Sequence, residues 1–212
     1  LVRPAKQVFN SNNELITEFA TNDKIYCMAA APPNNIVCGC LESRVISLNC
    51  TTFKYEFVKT MTHDYHTRQI AACESAIATS VVEGRIGIVD LKDPTNKYAF
   101  KAHLSESKGE SGFQMSEASQ KIVYPVNALC FQPKPDYLAT GGTDGVVYIW
   151  DVKKKRKLQS LMDDEKGVPF GTSISSISFS NDGNTLAVAV SYCFENGPIE
   201  HEPDRLIIYV NS

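Results

Sequence analysis

The chain has 212 residues, 43% hydrophobic and 21% charged, with a formal net charge of −3, which suits an ordinary soluble globular protein with one sizeable core or two small ones. That balance argues against a protein devoted to phosphate backbones, so nucleic acid is not expected as a main ligand, although a local basic patch stays open. No apolar run is long enough for a membrane span, the first residues lack the charged-then-apolar order of a signal peptide, and seven scattered cysteines without framework spacing read as reduced thiols inside a cell.

The chain opens on LVRPAKQVFN without an initiator methionine and reads as a piece of a longer or processed protein. QVFN and ELITEF, before residue 20, look like the last two strands of a repeat unit whose beginning lies upstream. KIYCMAAA (24–31), IVCGCL (36–41) and VISLN (45–49) then alternate with polar turns. TRQIAAC (67–73), IATSVV (77–82), IGIVDL (86–91) and KYAFK (97–101) repeat the scheme. PVNALCF (125–131), YLATGG (137–142), VVYIWDV (146–152) and KLQSLM (157–162) repeat it again. SISSISFS (173–180), TLAVAVSY (185–192) and RLIIYV (205–210) make a last unit short of one strand. No stretch has the 3.6-residue period of an amphipathic helix.

A repeat of about 40 to 50 residues made of short strands is the signature of propeller blades. The expected fold is all-β: a part-blade over 1–20, then blades over about 21–60, 61–102, 124–163 and 172–212, about four and a half in all. Second strands such as IATSVV and YLATGG carry no charge, as expected of strands covered on both faces. Residues 104–123, rich in Ser, Glu and Gly, read as a mobile loop between blades, and 193–204 as an acidic insertion in the last one.

The stretch GGTDGVVYIWDV holds the only tryptophan. His103 precedes the first strand of that unit, Thr140 lies on the second, Asp144 in the next turn, and Trp150 ends the third. A buried imidazole and an indole N–H need acceptors, and a turn carboxylate and a hydroxyl supply them. These four residues therefore read as a structural hydrogen-bond set, with no catalytic role. The pattern resembles the WD-repeat family, whose blades carry such a His–Ser/Thr–Asp–Trp set. Longer strings, among them KIYCM, YHTRQI, EGRIGI, KYAFKAH, YPVNALCFQP and SFSNDGNTLAVAVSY, resemble the mitotic-checkpoint group of WD-repeat propellers over roughly residues 20 to 210. The messenger-RNA-export propellers are near relatives and share many of these strings. The resemblance implies a seven-bladed propeller of which the first two and a half blades are absent here. It departs at FKAHL, where the group has FKCHR, and at RLIIYV, where relatives carry a glycine.

Strand direction reverses along a meander, so the starts of the first and third strands share one rim. Arg68 and Arg85 open such strands in one unit and should project to one face, as a receptor for carboxylate or phosphate. The alternative is local pairing, for instance of Arg85 with Glu83. The resemblance implies that the matching arginines grip acidic residues of a short motif in checkpoint kinases, and a phosphothreonine in repeats of a kinetochore scaffold. Tyr65, Thr67 and Lys101 are expected to border the same rim. The implied role is a non-enzymatic adaptor of the nucleus and kinetochore, also found in the cytoplasm, with a nucleoporin-binding export factor as the alternative.

Other chemistry finds little support. His63 and His66 lack further ligands at suitable spacing, so no metal is expected, and no cofactor motif is present. Cys38 and Cys40 face one side of a strand, as core residues do. KKKR (153–156) reads as a solvated turn on the rim opposite Arg68.

Overall fold

The computed structural model describes residues 5–20, 24–61, 66–93, 95–107, 120–134, 136–163 and 167–210. Strands β1 (Ala5–Phe9) and β2 (Leu15–Ala20) form an antiparallel ribbon. The first four-stranded meander is β3 (Ile25–Ala31), β4 (Asn35–Cys40), β5 (Arg44–Asn49) and β6 (Tyr55–Thr60). The second is β7 (Gln69–Ala72), β8 (Ala76–Ser80), β9 (Arg85–Asp90) and β10 (Lys97–Lys101). After it, β11 (Leu104–Ser107) and β12 (Gln120–Val123) pair with each other. The third meander is β13 (Val126–Phe131), β14 (Leu138–Gly142), β15 (Val147–Asp151) and β16 (Arg156–Leu161). The last sheet has three strands, β17 (Ile174–Phe179), β18 (Thr185–Val190) and β19 (Arg205–Val210). Together these sheets make about four and a half blades of an all-β propeller.

The β11–β12 ladder departs from the sequence reading. Residues 104–107 and 120–123, expected to belong to a mobile loop, are paired in register from Leu104 opposite Val123 to Ser107 opposite Gln120. Composition hid this, because Ser and Glu dominate while only one face of a two-stranded ribbon needs apolar residues. The tether is backbone: the Tyr124 amide donates to the His103 carbonyl at 3.1 Å and closes the ribbon at its base. Residues 108–119 of the expected loop lie outside the described residues.

First strands pack against first strands of the neighbouring sheets, β3 on β7, β7 on β13 and β13 on β17, so they form the inner wall. Second strands β8 and β14 are buried at every position. Their Ala, Gly and Thr residues allow two neighbouring sheets to approach closely. The core is accordingly layered. Val37, Val45, Ile70, Ile77 and Val89 fill the space between the first and second meanders. Ile86, Ile88, Val126 and Leu138 fill the next layer, and Val147, Ile174, Ile177 and Val188 the last. Polar groups stitch the layers: Ser80 Oγ donates to the Val126 carbonyl at 3.1 Å, and Gln132 Nε2 to the Gly183 carbonyl at 2.8 Å. The turns keep tight Asp-Gly chemistry, with Gly145 at φ +69° and Gly183 at +75°, where a side chain would be strained.

The last sheet leaves apolar surface in the open. On β19, Leu206, Ile208 and Val210 are 70%, 51% and 69% exposed, and among the described residues nothing pairs with its outer edge. An unpaired edge bearing a stripe of aliphatic side chains is a template for association. The chain on its own is therefore expected to self-associate, and Leu206→Lys with Ile208→Lys should shift it toward monomer in sedimentation velocity. A monodisperse monomer before substitution would contradict this.

Candidate functional site

The four residues singled out around Trp150 come together. His103 is fully buried, its Nδ1 2.8 and 2.9 Å from the two carboxylate oxygens of Asp144, its Nε2 2.9 Å from Thr140 Oγ1. Trp150 Nε1 donates to the same Thr140 oxygen at 3.0 Å. The indole can only donate and the carboxylate only accept, so Trp150 donates to Thr140 and His103 Nδ1–H donates to Asp144, while Thr140 Oγ1 bridges the indole and His103 Nε2. Each polar side chain of the set thus has a partner within it. Tyr148 packs its ring edge-on to His103 at 4.8 Å, closing the set from solvent.

The arginines occupy different ground. Gln69 pairs with Ser80, and the Arg68 amide donates to the Ser80 carbonyl at 2.8 Å, so both residues stand opposite Ser80 in a bulge where β7 begins. The Val81 amide donates to the Arg85 carbonyl at 3.3 Å, and Arg85 pairs with Lys101. Val81, Arg85 and Lys101 thus form one cross-strand row at the rim of the second meander, and Arg68 stands at the start of β7 on the same rim. Ile77 and Val89, an even number of positions along the strands of Val81 and Arg85, pack toward the first meander, so the row faces that side. Two strand spacings separate the Arg68 and Arg85 backbones, about 10 Å, within joint reach of one anion for two long side chains. Arg68 and Lys101 are exposed and Arg85 is half-buried. Among the described residues none of the three cations has a side-chain hydrogen bond or ion pair, and Glu83 does not pair with Arg85.

One neighbour differs from expectation. Thr67 is fully buried, with Oγ1 unpartnered, so it does not border the rim as its place before Arg68 implied. Its amide donates to the Cys40 carbonyl, and its methyl fills the space above Gly39, so it is drawn into the seam with the first meander. Tyr65 and His63 lie outside the described residues. Cys38 and Cys40 are buried in a small apolar cluster with Ile46, and burial pushes the neighbouring Cys27 thiol up to about 12, away from thiolate chemistry.

One feature escaped the sequence reading. The acidic insertion returns to the arginine rim. Asn127 Nδ2 donates to Cys193 Sγ at 3.5 Å. Burial and then Glu195 push the Cys193 thiol up, against an opposing pull from the charge of Arg68. With the starts of β13 and β17, the insertion walls a cavity of about 400 Å³ that includes Tyr124, Thr143, Tyr192, Glu200 and His201. Strand periodicity says nothing about where an insertion folds back, so no local signal announced it.

A model of the WD domain, G-beta repeat, matches residues 120–151, the stretch holding Thr140, Asp144 and Trp150. The chain is a WD-repeat β-propeller protein. This propeller is 34% identical to the mitotic checkpoint protein bub3 of Dictyostelium discoideum over 203 residues, covering 92% of this chain and 56% of that protein. It is 42% identical to mitotic checkpoint protein BUB3.1 of Arabidopsis thaliana over 135 residues, 62% of this chain and 35% of the relative. An mRNA export factor of Danio rerio follows at 28% over 134 residues, 62% of this chain and 33% of the relative. The chain spans about half the length, or less, of the curated relatives it matches. Among solved structures, a chain of a mitotic checkpoint complex superposes with a TM-score of 0.63 at 13% identity, over 86% of this chain and 50% of that one. The Dos1 propeller gives 0.63 at 20% identity, over 88% and 44%. At these identities the superpositions speak for the fold. Among the described residues no helix is long and apolar enough to cross a membrane.

The relay sets a stability test. Asp144→Ala leaves the His103 N–H buried without an acceptor, which costs about 1–3 kcal/mol. Thermal unfolding should fall by several degrees, and a shift below one degree would overturn the structural role.

Proposed function

We propose that this WD-repeat propeller is a non-enzymatic adaptor of the mitotic spindle checkpoint that holds acidic and phosphorylated segments of its partners on the Arg68–Arg85–Lys101 rim. The reading is supported by one observation above all. Three cations stand on one rim of one sheet, and among the described residues none of them is paired with an acid. Unpaired guanidiniums on a rigid strand edge accept carboxylate or phosphate with two parallel N–H donors each. Lys101, paired across from Arg85, adds a point charge suited to the second negative charge of a phosphate. The similarity to bub3 proteins supports checkpoint kinases, through a short acidic motif, and a phosphorylated kinetochore scaffold as those partners, with the nucleus and kinetochore as the place of action. The weaker similarity to mRNA export factors supports a second reading, in which the same rim takes an acidic segment of a nucleoporin.

The two arginines should not count equally. Arg85 is half-buried and Arg68 exposed. Charge reversal at Arg85 is expected to weaken an acidic phosphothreonine peptide by about 2–5 kcal/mol, as for a buried charge partner. Reversal at Arg68 should cost less, because solvent screens it. Lys154→Glu, on the opposite rim, is the control and should leave binding unchanged. Calorimetric titration of the propeller at two salt concentrations measures all three. Wild-type affinity in both arginine variants would sink the proposal.

A further inference from the structure

The outer wall between the second and third meanders carries a groove of about 370 Å³ that meets the arginine rim at Lys101. Its walls are Tyr98 and Phe100 of β10 with Trp150 and Val152 at the end of β15. The rings run on as a ladder: Tyr98 to Phe100 at 6.1 Å, Phe100 to Trp150 at 4.8 Å, Trp150 to Tyr148 at 5.8 Å. The groove cannot close on itself, because the Tyr98 hydroxyl donates to the Val152 carbonyl at 2.5 Å and Trp150 is held by Thr140. Both walls are thereby fixed at their present separation. The mouth is cationic. Lys155 and Arg156, from the KKKR turn, border one end and Lys101 the end nearer the arginine rim. The one acid of the lining, Asp151, is buried and turned inward, accepting from the Lys154 amide at 2.9 Å with the Lys154 ammonium 3.8 Å away.

We infer that this groove is a second binding site, sharing only Lys101 with the arginine rim, that takes an acidic peptide segment by seating one aromatic or aliphatic side chain between Tyr98, Phe100 and Trp150 while its flanking carboxylates meet Lys155 and Arg156. Charge complementarity selects the partner. Fixed apolar walls supply the anchor pocket, and an exposed cationic rim around them repels basic segments and attracts acidic ones. Single-stranded nucleic acid, which also seeks cations beside aromatics, needs open ring faces for base stacking. Here the faces of Tyr98 and Tyr148 are already capped, by the Lys155 ammonium at 4.5 Å and the Lys157 ammonium at 4.7 Å. A peptide side chain entering edge-on between the walls leaves those caps in place.

The test is fluorescence polarisation on the whole protein with a labelled peptide that carries one phenylalanine between two pairs of glutamates. Saturable binding is expected, about tenfold weaker when the phenylalanine becomes alanine and about tenfold weaker with Lys155→Glu plus Arg156→Glu. Arg68→Glu should leave it unchanged, and circular dichroism should be unaltered by these exposed substitutions. Loss of binding in Arg68→Glu with full binding in the double variant would place the peptide on the rim and overturn the groove while leaving the adaptor proposal intact. Labelled oligo-thymidine that binds more tightly than the peptide and is lost in the double variant would overturn it in favour of nucleic acid. Absence of saturable peptide binding would overturn it outright.

Discussion

A twisted sheet of four short strands with apolar residues on both faces has no stable existence alone. Each face must be covered, and in this chain each is covered by the next sheet. That constraint explains why buried residues fall into layers, with Ile77 and Val89 in one and Ile86 and Ile88 of the same meander in the other. It also explains the small residues of β8 and β14, where two sheets approach from opposite sides. Polar groups inside such a stack gain from pairing across it, and the His103–Asp144–Thr140–Trp150 relay does so. Apolar layering fixes which sheets meet; the relay fixes how they are turned.

Once the layers are filled, what remains for recognition is the rims and the outer wall. The rim of the second meander is where its strand ends run out of apolar partners and carry Arg68, Arg85 and Lys101. The outer wall is where the last strands fail to cover the aromatic residues behind them. Both are by-products of the same geometry. Strand ends and edges are the only backbone positions that the stack leaves free to vary, and a rigid scaffold behind them keeps those side chains in place.

Much of the fold was legible because the signals are local. KYAFK and RLIIYV coincide with β10 and β19, since alternation and turn residues bound them on both sides. Thr140, Asp144 and Trp150 were legible because their spacing is set by one meander and its turn, and His103 because it stands shortly before that meander in the chain. The common rim of Arg68 and Arg85 followed from strand direction alone. What the sequence did not carry is anything decided between elements. Thr67 sits one residue from Arg68 and points into the seam with the first meander, because Cys40 and Gly39 offer it a place there. The β11–β12 ladder was hidden by a composition that also suits loops. The return of Cys193 to the neighbourhood of Arg68 depends on how a twelve-residue insertion crosses the rim, for which no period exists.

His103 does not belong to the meander whose relay it completes. It leaves β10 of the second meander, donates to Asp144 of the third, and offers its carbonyl to Tyr124 at the base of the β11–β12 ribbon. Loss of order at the exit of one blade therefore takes from the next the donor to Asp144 and the ring partner of Thr140. In a stack where stability is a sum of unit and neighbour terms, such a residue raises the neighbour term. Blades joined this way share a buried polar link, and a displacement of the ribbon reaches Asp144 and Thr140 through the imidazole before it reaches the indole of Trp150.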